Sequence, residues 1–435
     1  MDTGEAGMNI CVLGLGHSRC VISASLSKLG HMVVGLDFDK GIVRALQDGS
    51  ASLSEPGVAE IFVDSIRTER LLLTSDPQMA LRAADAVWVA LDIPVDDRDI
   101  ADVDAVKGCV VRIMPFLKDG GGIIISSQVH VGFVGRMERT LLRSHPDKRC
   151  HFAYCPENLQ LGKALNAFLD PDRIVIGIRN EESKEAFLPL FSSISARLEW
   201  MQTKSAEMAK NTINSFLAIS VCFANEIASI CERVGADARE VERGLRTEKR
   251  IGPKAFLRPG AAFSGGTLAR DINYLTRLSG THRLPSYLIQ AVNKSNNFHK
   301  KWVIRKCREV LPSLKNRTVA ILALAYKPGI DSLRRSYAIE LARFFHERGT
   351  AVQGFDPGSR IPNDVSALLR LKSTVQETIV DADVVIIVTE LPQFLEFGDD
   401  IVSSLRSKFV IDPNGAVAKL VDSASAKYFA VRRKS

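Results

Sequence analysis

The chain is poor in the residue patterns that build metal sites and disulfide frameworks. Its eight cysteines are scattered over 435 residues, with no C-x-x-C pair and no histidine-rich segment beside them. This spacing argues against a zinc site and against disulfides, and it predicts free thiols in a reducing compartment. We therefore expect a cytoplasmic protein without a bound metal.

Charge and hydropathy argue against two classes of partner. The net charge of +7 is small for this length, and the dense basic run is Arg432-Arg433-Lys434, close to the C-terminus. A lining for a nucleotide's phosphates accounts for part of this excess, so nucleic acid is not required. No apolar run reaches the length of a membrane span, and the polar residues 1–7 are unlike a signal peptide. We expect neither nucleic acid nor a membrane as a partner.

What the sequence does have is an alternation of apolar strands and helices. Hydrophobic residues make up 46% and charged residues 25%, as in ordinary globular domains. Apolar strands are predicted at residues 9–13, 32–36, 86–91, 123–127, 152–157, 173–178, 318–323, 351–355, 384–389 and 409–412. An uninterrupted helical pattern over residues 205–235 lies between the two sets of strands. Such alternation predicts parallel sheets covered by helices on both faces.

The predicted fold class is therefore α/β. Two Rossmann-like, doubly wound parallel-sheet domains are joined by a long central helix and a helical middle domain. We place the three domains at residues 1–203, 204–312 and 313–435.

The first predicted strand is followed by a glycine turn of the dinucleotide-binding type. Gly14 and Gly16 lead into a helix, and Asp37 ends the next strand. The glycines let a pyrophosphate approach the backbone at the helix N-terminus, and the acid binds ribose hydroxyls, favouring NAD over NADP. The third position of G-x-G-x-x-G is Arg19, a long side chain that must swing out or widen the gap between helix and strand. A glycine turn that binds no cofactor is the alternative.

Four longer segments resemble the UDP-glucose/GDP-mannose dehydrogenase family. Residues 155–177 are similar to N-P-E-F-L-x-E-G-x-A…P-D-R-I-V-I-G, and residues 206–216 match the family's long helix. Residues 258–271 are similar to F-G-G-S-C-x-P-K-D, and residues 323–336 to G-L-A-F-K-x-x-T-D-D-x-R-E-S. The resemblance covers nearly the whole chain. It implies NAD bound by the first domain, a dimerisation helix in the second, and a nucleotide-sugar substrate bound by the third.

The resemblance also implies which residues form the site. The catalytic set is Lys210, Asn214, Asp271, Glu157 and Thr267. In the family, the lysine and asparagine point at the reacting carbon, the aspartate works with the lysine on a bound water, and the glutamate assists proton transfer. The implied cofactor-binding set is Gly14, Gly16, Asp37, Ser127, Gln128 and Arg334. The implied substrate-binding set is Arg250, Phe256, Arg258, Gly265 and Lys327. Arg250 is expected to reach from one subunit of a homodimer into its partner's substrate site.

The chain departs from the family's pattern mainly around the sugar. Thr267 stands in place of the nucleophilic cysteine, Leu161 in place of an acid, and Asn414 in place of an arginine. A thiolate attacks a carbonyl carbon at neutral pH, whereas a threonine hydroxyl needs a strong dedicated base. Around the cofactor, the chain departs from the family's pattern at Gln128 and Ile93.

These departures favour a changed reaction on a changed sugar. Our leading hypothesis is a single NAD-dependent oxidation of a secondary alcohol to a keto-sugar. The reaction stops there because the carbonyl carbon of a ketone carries no hydrogen for a second hydride transfer. A conventional four-electron 6-dehydrogenase, with Cys155 or water replacing the thiol, is the second hypothesis. A non-catalytic homologue that binds a nucleotide sugar is the third. The sequence Arg258-Pro259-Gly260 slightly favours a GDP-sugar as the substrate. A bulky GDP-sugar, such as a GDP-octose of an antibiotic pathway, would account for a remodelled pocket.

Overall fold

The computed structural model describes residues 7–49, 55–93, 96, 101–157, 159, 162–194, 196–327, 333, 335–358, 362–396, 409–418 and 427–431. The chain divides into two compact units, Met1–Thr212 and Ile213–Ser435. Each unit contains one sheet with helices packed on both of its faces.

The first unit is built on a twisted, largely parallel sheet. Its strands in the described residues are β1 (Asn9–Leu13), β2 (Met32–Leu36), β3 (Leu71–Thr74), β4 (Ala86–Val89), β5 (Gly122–Ile125), β6 (His151–Tyr154), β7 (Arg173–Ile178) and β8 (Arg197–Gln202). Their order across the sheet is β3-β2-β1-β4-β5-β6-β7-β8. The direction of winding reverses between β1 and β4, and a ligand of such a sheet binds beyond the carboxyl ends of those strands.

In the described part of the first unit, eight α-helices cover this sheet before the long central helix begins. They are α1 (His17–Lys28), α2 (Lys40–Gln47), α3 (Val58–Arg67), α4 (Pro77–Leu81), α5 (Val103–Ile113), α6 (Phe133–Ser144), α7 (Ala164–Leu169) and α8 (Glu181–Ser192). The central strands are buried along their whole length, as expected for a sheet with helices on both faces. One core cluster packs α1, α3, α7 and α8 on one face, and a second packs α5 and α6 on the other.

The predicted parallel-sheet fold is confirmed, with one antiparallel pairing in the first sheet. β7 pairs antiparallel with β6, through Tyr154 and Gly177, whereas β8 returns parallel to β7. A strand's apolar pattern reports its burial but not its direction, so the sequence did not reveal this reversal.

The long helix α9 (Thr203–Val234) has 32 residues. It begins in the first unit and ends in the second. An 18-residue stretch of this helix has a mean hydropathy of 1.5, so the helix is long and apolar enough to cross a bilayer by length and composition alone. The core helix of a globular domain meets the same criterion.

The second unit repeats the doubly wound arrangement. Its described strands are β9 (Thr318–Leu322), β10 (Ala351–Phe355), β11 (Arg370–Leu371), β12 (Val384–Ile387), β13 (Phe409–Ile411) and β14 (Lys427–Phe429), all parallel, in the order β11-β10-β9-β12-β13-β14. Its helices are α10 (Ala238–Thr247), α11 (Thr267–Thr281), α12 (Tyr287–Lys300), α13 (Trp302–Val310), α14 (Tyr337–His346), α15 (Asn363–Ser366) and α16 (Val375–Ile379).

Candidate active site

The predicted glycine turn lies at the switch point of the first sheet, between β1 and α1. Gly14 has φ of +94°, which favours glycine, and Gly16 caps α1 with no side-chain hydrogen bond. Asp37, at the end of β2, accepts hydrogen bonds from the Leu15 amide at 2.8 Å and from the Asp39 amide at 2.9 Å. The structure thus brings the two glycines and the acid together as the sequence predicted.

The Arg19 side chain lies across this turn. A Cβ placed on Gly16 would be 1.8 Å from Arg19 Nη2, and one on Gly14 would be 2.8 Å from Arg19 Cδ. Arg19 Nη1 donates to the carbonyl of Ala90 at 3.1 Å and to Asp92 Oδ2 at 2.8 Å. The arginine does not swing out into solvent, since it is 8% exposed. It covers the glycines.

The loop after β5 supplies buried hydroxyls beside the same edge of the sheet. The Oγ atoms of Ser126 and Ser127 are buried and, within the described residues, have no hydrogen-bond partner. Gln128 Nε2 donates to Asn211 Oδ1 at 3.3 Å. Glu207 on α9 holds this loop by accepting from the amides of Gly132 and, at 2.9 Å, Val134.

These residues fit a dinucleotide. The turn has two glycines at a helix N-terminus, Asp37 stands where a ribose would lie, and the buried Ser127 hydroxyl lacks a partner among the described residues. The atoms that obstruct the turn belong to the far end of a flexible arginine side chain rather than to backbone. The cradle therefore accepts a pyrophosphate once the Arg19 guanidinium has moved away.

Glu157 and Lys210, two of the predicted catalytic residues, lie together in the first unit. Lys210 Nζ donates to the backbone carbonyl of Glu157 at 2.6 Å. Burial raises the pKa of the Glu157 carboxyl to about 7, opposed by the positive charge of Lys210, increased by Asp92 and opposed again by Arg19. Glu157 Oε2 is buried without a hydrogen-bond partner in the described part of the chain. A carboxyl that titrates near neutral pH can accept a proton from a substrate hydroxyl.

Cys155, two residues earlier, lies in the core. It is 5% exposed, and burial, with a smaller effect from Glu157, raises the pKa of its thiol to about 12. The thiolate is therefore scarce at neutral pH, and the thiol is a poor nucleophile.

The second unit holds the other predicted catalytic residues. Asn214, on α9, donates from Nδ2 to Asp271 Oδ2 at 2.6 Å, and Arg270 Nε donates to Asp271 Oδ1 at 3.1 Å. Asp271 is 1% exposed, and a neighbouring donor contacts each of its two carboxylate oxygens. Sequence spacing alone does not predict that Asn214 and Asp271 meet, since 57 residues separate them.

The segment with the cysteine-to-threonine exchange forms the start of α11. Thr267 is the first residue of the helix and is exposed. Within the described residues, its hydroxyl has no hydrogen bond to a base. Gly265, just before it, has φ of +76° and packs against the Tyr326 ring, where a Cβ would come within 2.9 Å.

The predicted substrate residues make separate contacts within the described chain. Arg258 pairs with Glu390 and donates to the Asn414 carbonyl at 3.1 Å. Arg250 makes a local ion pair with Glu248 at 3.0 Å, and Phe256 is 55% exposed. Lys327 is exposed. Two residues of the family comparison, Arg334 and Leu161, lie outside the described residues.

Asn414, which replaces an arginine of the family, holds the loop around Gly260. Its Oδ1 accepts from the Ala261 amide at 2.8 Å, and its Nδ2 donates to the Val388 carbonyl at 3.2 Å. The sequence predicts only the loss of a substrate contact at this position, and the structure adds a role in holding the loop.

Asp92, which accepts from Arg19 beside the glycine turn, is a further residue that the sequence pattern does not single out. It follows β4 at the switch point, where ligands of doubly wound sheets bind, and that position was the available signal.

Comparison with known proteins places all parts of the chain in one family. Three domains of the UDP-glucose/GDP-mannose dehydrogenase family match: the NAD binding domain over residues 8–195, the central domain over residues 204–298 and the UDP binding domain over residues 320–419.

Curated relatives and a solved structure align over nearly the full length. The UDP-glucose 6-dehydrogenase TuaD of Bacillus subtilis is 30% identical, over 96% of this chain and 91% of that protein. The UDP-glucose 6-dehydrogenase of Rickettsia bellii is 31% identical, over 98% and 100% respectively. The structure of a UDP-glucose dehydrogenase from Pyrobaculum islandicum superimposes with a TM-score of 0.87 at 27% identity, covering 99% of each chain. With the glycine turn, Asp37 and the domain matches together, the chain belongs to the UDP-glucose/GDP-mannose dehydrogenase family and is an NAD-dependent nucleotide-sugar dehydrogenase.

Proposed function

We propose that this enzyme oxidises a secondary alcohol of a nucleotide-activated sugar to a ketone in a single two-electron step. The observation that carries the proposal is Thr267, an exposed hydroxyl at the start of α11 where the family pattern has a nucleophilic cysteine. The described residues around it include no base hydrogen-bonded to the hydroxyl. An alcohol without such a base does not form the covalent acyl intermediate that a second oxidation requires.

The reaction needs a hydride acceptor, a proton acceptor and a positive charge. Gly14, Gly16, Asp37 and Ser127 would hold the NAD, which accepts the hydride from the sugar carbon. Glu157 takes the hydroxyl proton, since burial raises its pKa to about 7. Lys210 stabilises the negative charge that develops on the substrate oxygen. One C–H and one O–H bond break, and a carbonyl, reduced cofactor and a proton result.

The other site residues keep the roles that the family resemblance implies. In this proposal, Asn214 and Asp271 orient substrate and water, while Gln128 and Arg334 contact the cofactor. The substrate contacts come from Arg250, Phe256, Arg258, Gly265 and Lys327. The domain bounds 1–203, 204–312 and 313–435 remain part of the proposal, and each of the three family matches lies within one of them.

A four-electron oxidation to a uronic acid is the second candidate. It is favoured by the relatives, which are named UDP-glucose 6-dehydrogenases. The buried Cys155 is a poor replacement for the missing thiol, because burial raises its pKa to about 12. Addition of water to the aldehyde, followed by oxidation of the resulting hydrate with a second NAD, is then the remaining route.

The amount of NADH formed per sugar distinguishes the two reactions. We expect one equivalent of NADH and a product that has lost two hydrogens, measured by absorbance and mass spectrometry on a panel of UDP-, GDP- and CDP-sugars. The variant Thr267→Ala should retain this activity within about threefold, because no covalent bond to residue 267 is made.

Two outcomes would contradict the proposal. Two equivalents of NADH with a carboxylated sugar would establish the four-electron reaction. Binding of a nucleotide sugar without any NADH formation, by a chain that does not bind NAD in calorimetry, would instead establish the non-catalytic homologue.

We further propose that the chain is a cytoplasmic homodimer. The eight cysteines are all free. On α9, Phe216, Phe223 and Ile230 recur every seven residues, and they are 64%, 46% and 57% exposed. An apolar stripe of this kind on one face of a long helix suits contact with a second copy.

A further inference from the structure

A charged side chain occupies the part of the cofactor cradle that a pyrophosphate needs. The glycines of the turn lack side chains, so a phosphate can touch the backbone at the N-terminus of α1. In this chain the space beside Gly16 contains the Arg19 guanidinium, with Nη2 only 1.8 Å from where a Cβ would stand. A diphosphate and this guanidinium exclude each other sterically.

The contacts that keep Arg19 in this position are few and releasable. Its side chain is 10% exposed, whereas the carboxylate of Asp92 that it pairs with at 2.8 Å is 77% exposed. Arg19 Nε is buried without a hydrogen bond among the described residues. An ion pair with one solvated partner contributes little, and an unsatisfied buried N–H costs free energy. The covered state is therefore held by a small free-energy difference.

We propose that Arg19 and Asp92 form a latch that covers the pyrophosphate cradle and sets the cofactor affinity. The dinucleotide binds to the fraction of molecules in which the guanidinium has turned away from Gly14 and Gly16. The apparent Kd then exceeds the intrinsic Kd by the inverse of that fraction. A residue without a long side chain at position 19 leaves the cradle permanently open.

The alternative role for Arg19 is that of a direct ligand. A guanidinium close to the turn has the charge and the donors to bind a diphosphate. The two roles predict opposite effects of removing it, because a latch weakens binding and a ligand strengthens it.

Direct binding of NADH to the full-length chain, followed by calorimetry and cofactor fluorescence without sugar, tests the latch. We expect Arg19→Ala to lower the Kd at least about tenfold and Asp92→Asn to lower it about threefold, since the second variant only loosens the cover. Arg67→Ala and Asp64→Asn are matched controls, because this pair on α3 is also an ion pair of the first unit but is exposed. Both should leave the Kd unchanged.

A Kd that rises or stays the same in Arg19→Ala overturns the proposal, and a rise identifies Arg19 as a ligand. If Arg19→Ala does not fold, Asp92→Asn decides alone, and an unchanged Kd in that variant overturns the latch. The measurement contains no substrate, so it is independent of whether a keto-sugar or a uronic acid is the product.

Discussion

Four charged groups in the first unit influence one another at the residue scale. Glu157 is affected by Lys210, Asp92 and Arg19, while its own burial has the largest effect on its pKa. Arg19 and Asp92, which form the latch on the cofactor cradle, thus also affect the pKa of Glu157, the proposed proton acceptor. A change at any of these residues is therefore expected to alter both protonation and binding.

The raised pKa of Glu157 predicts the pH dependence of the reaction. The group must be ionised to accept a proton, so kcat/KM should fall as the pH drops through about 7. Glu157→Gln should lose activity by about 10²–10⁴-fold and lose this pH dependence. Glu182→Gln, an exposed acid of α8, is the matched control and should behave as the unmodified enzyme. A pH profile unchanged in Glu157→Gln would exclude Glu157 as the proton acceptor.

The same pKa shift has a consequence for stability. Because the pKa in the folded state lies above the ordinary value of 4.5, the folded form prefers the protonated carboxyl. The corresponding stability is fully present below pH 4.5 and is lost as the pH rises through about 7. Glu157→Gln should therefore have a higher Tm than the unmodified chain at pH 8, with little difference at pH 4.5, as measured by differential scanning calorimetry.

The sequence predicted those site residues that depend on local pattern. Gly14, Gly16 and Asp37 follow from a strand, a turn and the end of the next strand. The position of the Arg19 side chain depends on Asp92, which is 73 residues away, so no local pattern contains it. The same holds for Asn414, whose contacts with the loop at Ala261 span 153 residues.

At the scale of elements, the loop before α11 is held from several sides. Asn225 Oδ1 accepts from the Gly260 amide at 2.9 Å, and His299 Nε2 lies 2.8 Å from the Gly260 carbonyl. Asn296 contacts Phe263 at both its amide and its carbonyl. Together with Asn414, these side chains fix a segment that has no regular structure and is expected to line the sugar pocket.

Removal of the Asn414 side chain should loosen this loop. Asn414→Ala leaves the Ala261 amide without its acceptor, which costs about 1–3 kcal/mol of unfolding free energy. We expect a lower midpoint of denaturation and a KM for the nucleotide sugar that rises more than kcat falls. Asn297→Ala, an exposed asparagine of α12, is the control and should change neither. A normal KM in Asn414→Ala would show that the loop is held without this residue.

Elements were predicted well where apolar runs are bounded by glycine or polar residues. β1, β2, β7 and β10 have the predicted bounds, since each is a mainly apolar run followed at once by a glycine or a charged residue. β8 was missed because its sequence, RLEWMQ, is mixed and only partly buried. The short strands β3, β11 and β14 were also missed, since two to four residues carry too little pattern.

At the scale of the whole molecule, the two sheets share one topology. The order β3-β2-β1-β4-β5-β6 of the first unit reappears as β11-β10-β9-β12-β13-β14 in the second. Asp356, at the end of β10, accepts from the amides of Leu324 and Ala325, each at 2.8 Å, as Asp37 does from Leu15. One chain thus contains two Rossmann-like sheets in which an acid at the end of the second strand holds the turn after the first.

The apolar stripe of α9 predicts the oligomeric state. Phe223→Glu places a charge in the stripe, and we expect the mass measured by light scattering to fall from that of a dimer to that of a monomer. Val63→Glu, at an apolar residue of α3 that is 62% exposed, is the control and should remain a dimer. A monomeric unmodified chain would contradict the proposal, and sedimentation with lipid vesicles would point to a membrane contact instead.

The two amide contacts of Asp37 have a consequence for attempts to change the cofactor. Both carboxylate oxygens are anchored, at 2.8 Å and 2.9 Å, so the negative charge cannot rotate away from an incoming 2′-phosphate. We therefore expect strong selectivity against the phosphorylated dinucleotide, and we expect it to persist in variants around the ribose as long as the acid stays in place. Engineering this enzyme to use NADP requires replacement of the acid together with a new means of supporting the turn that it holds.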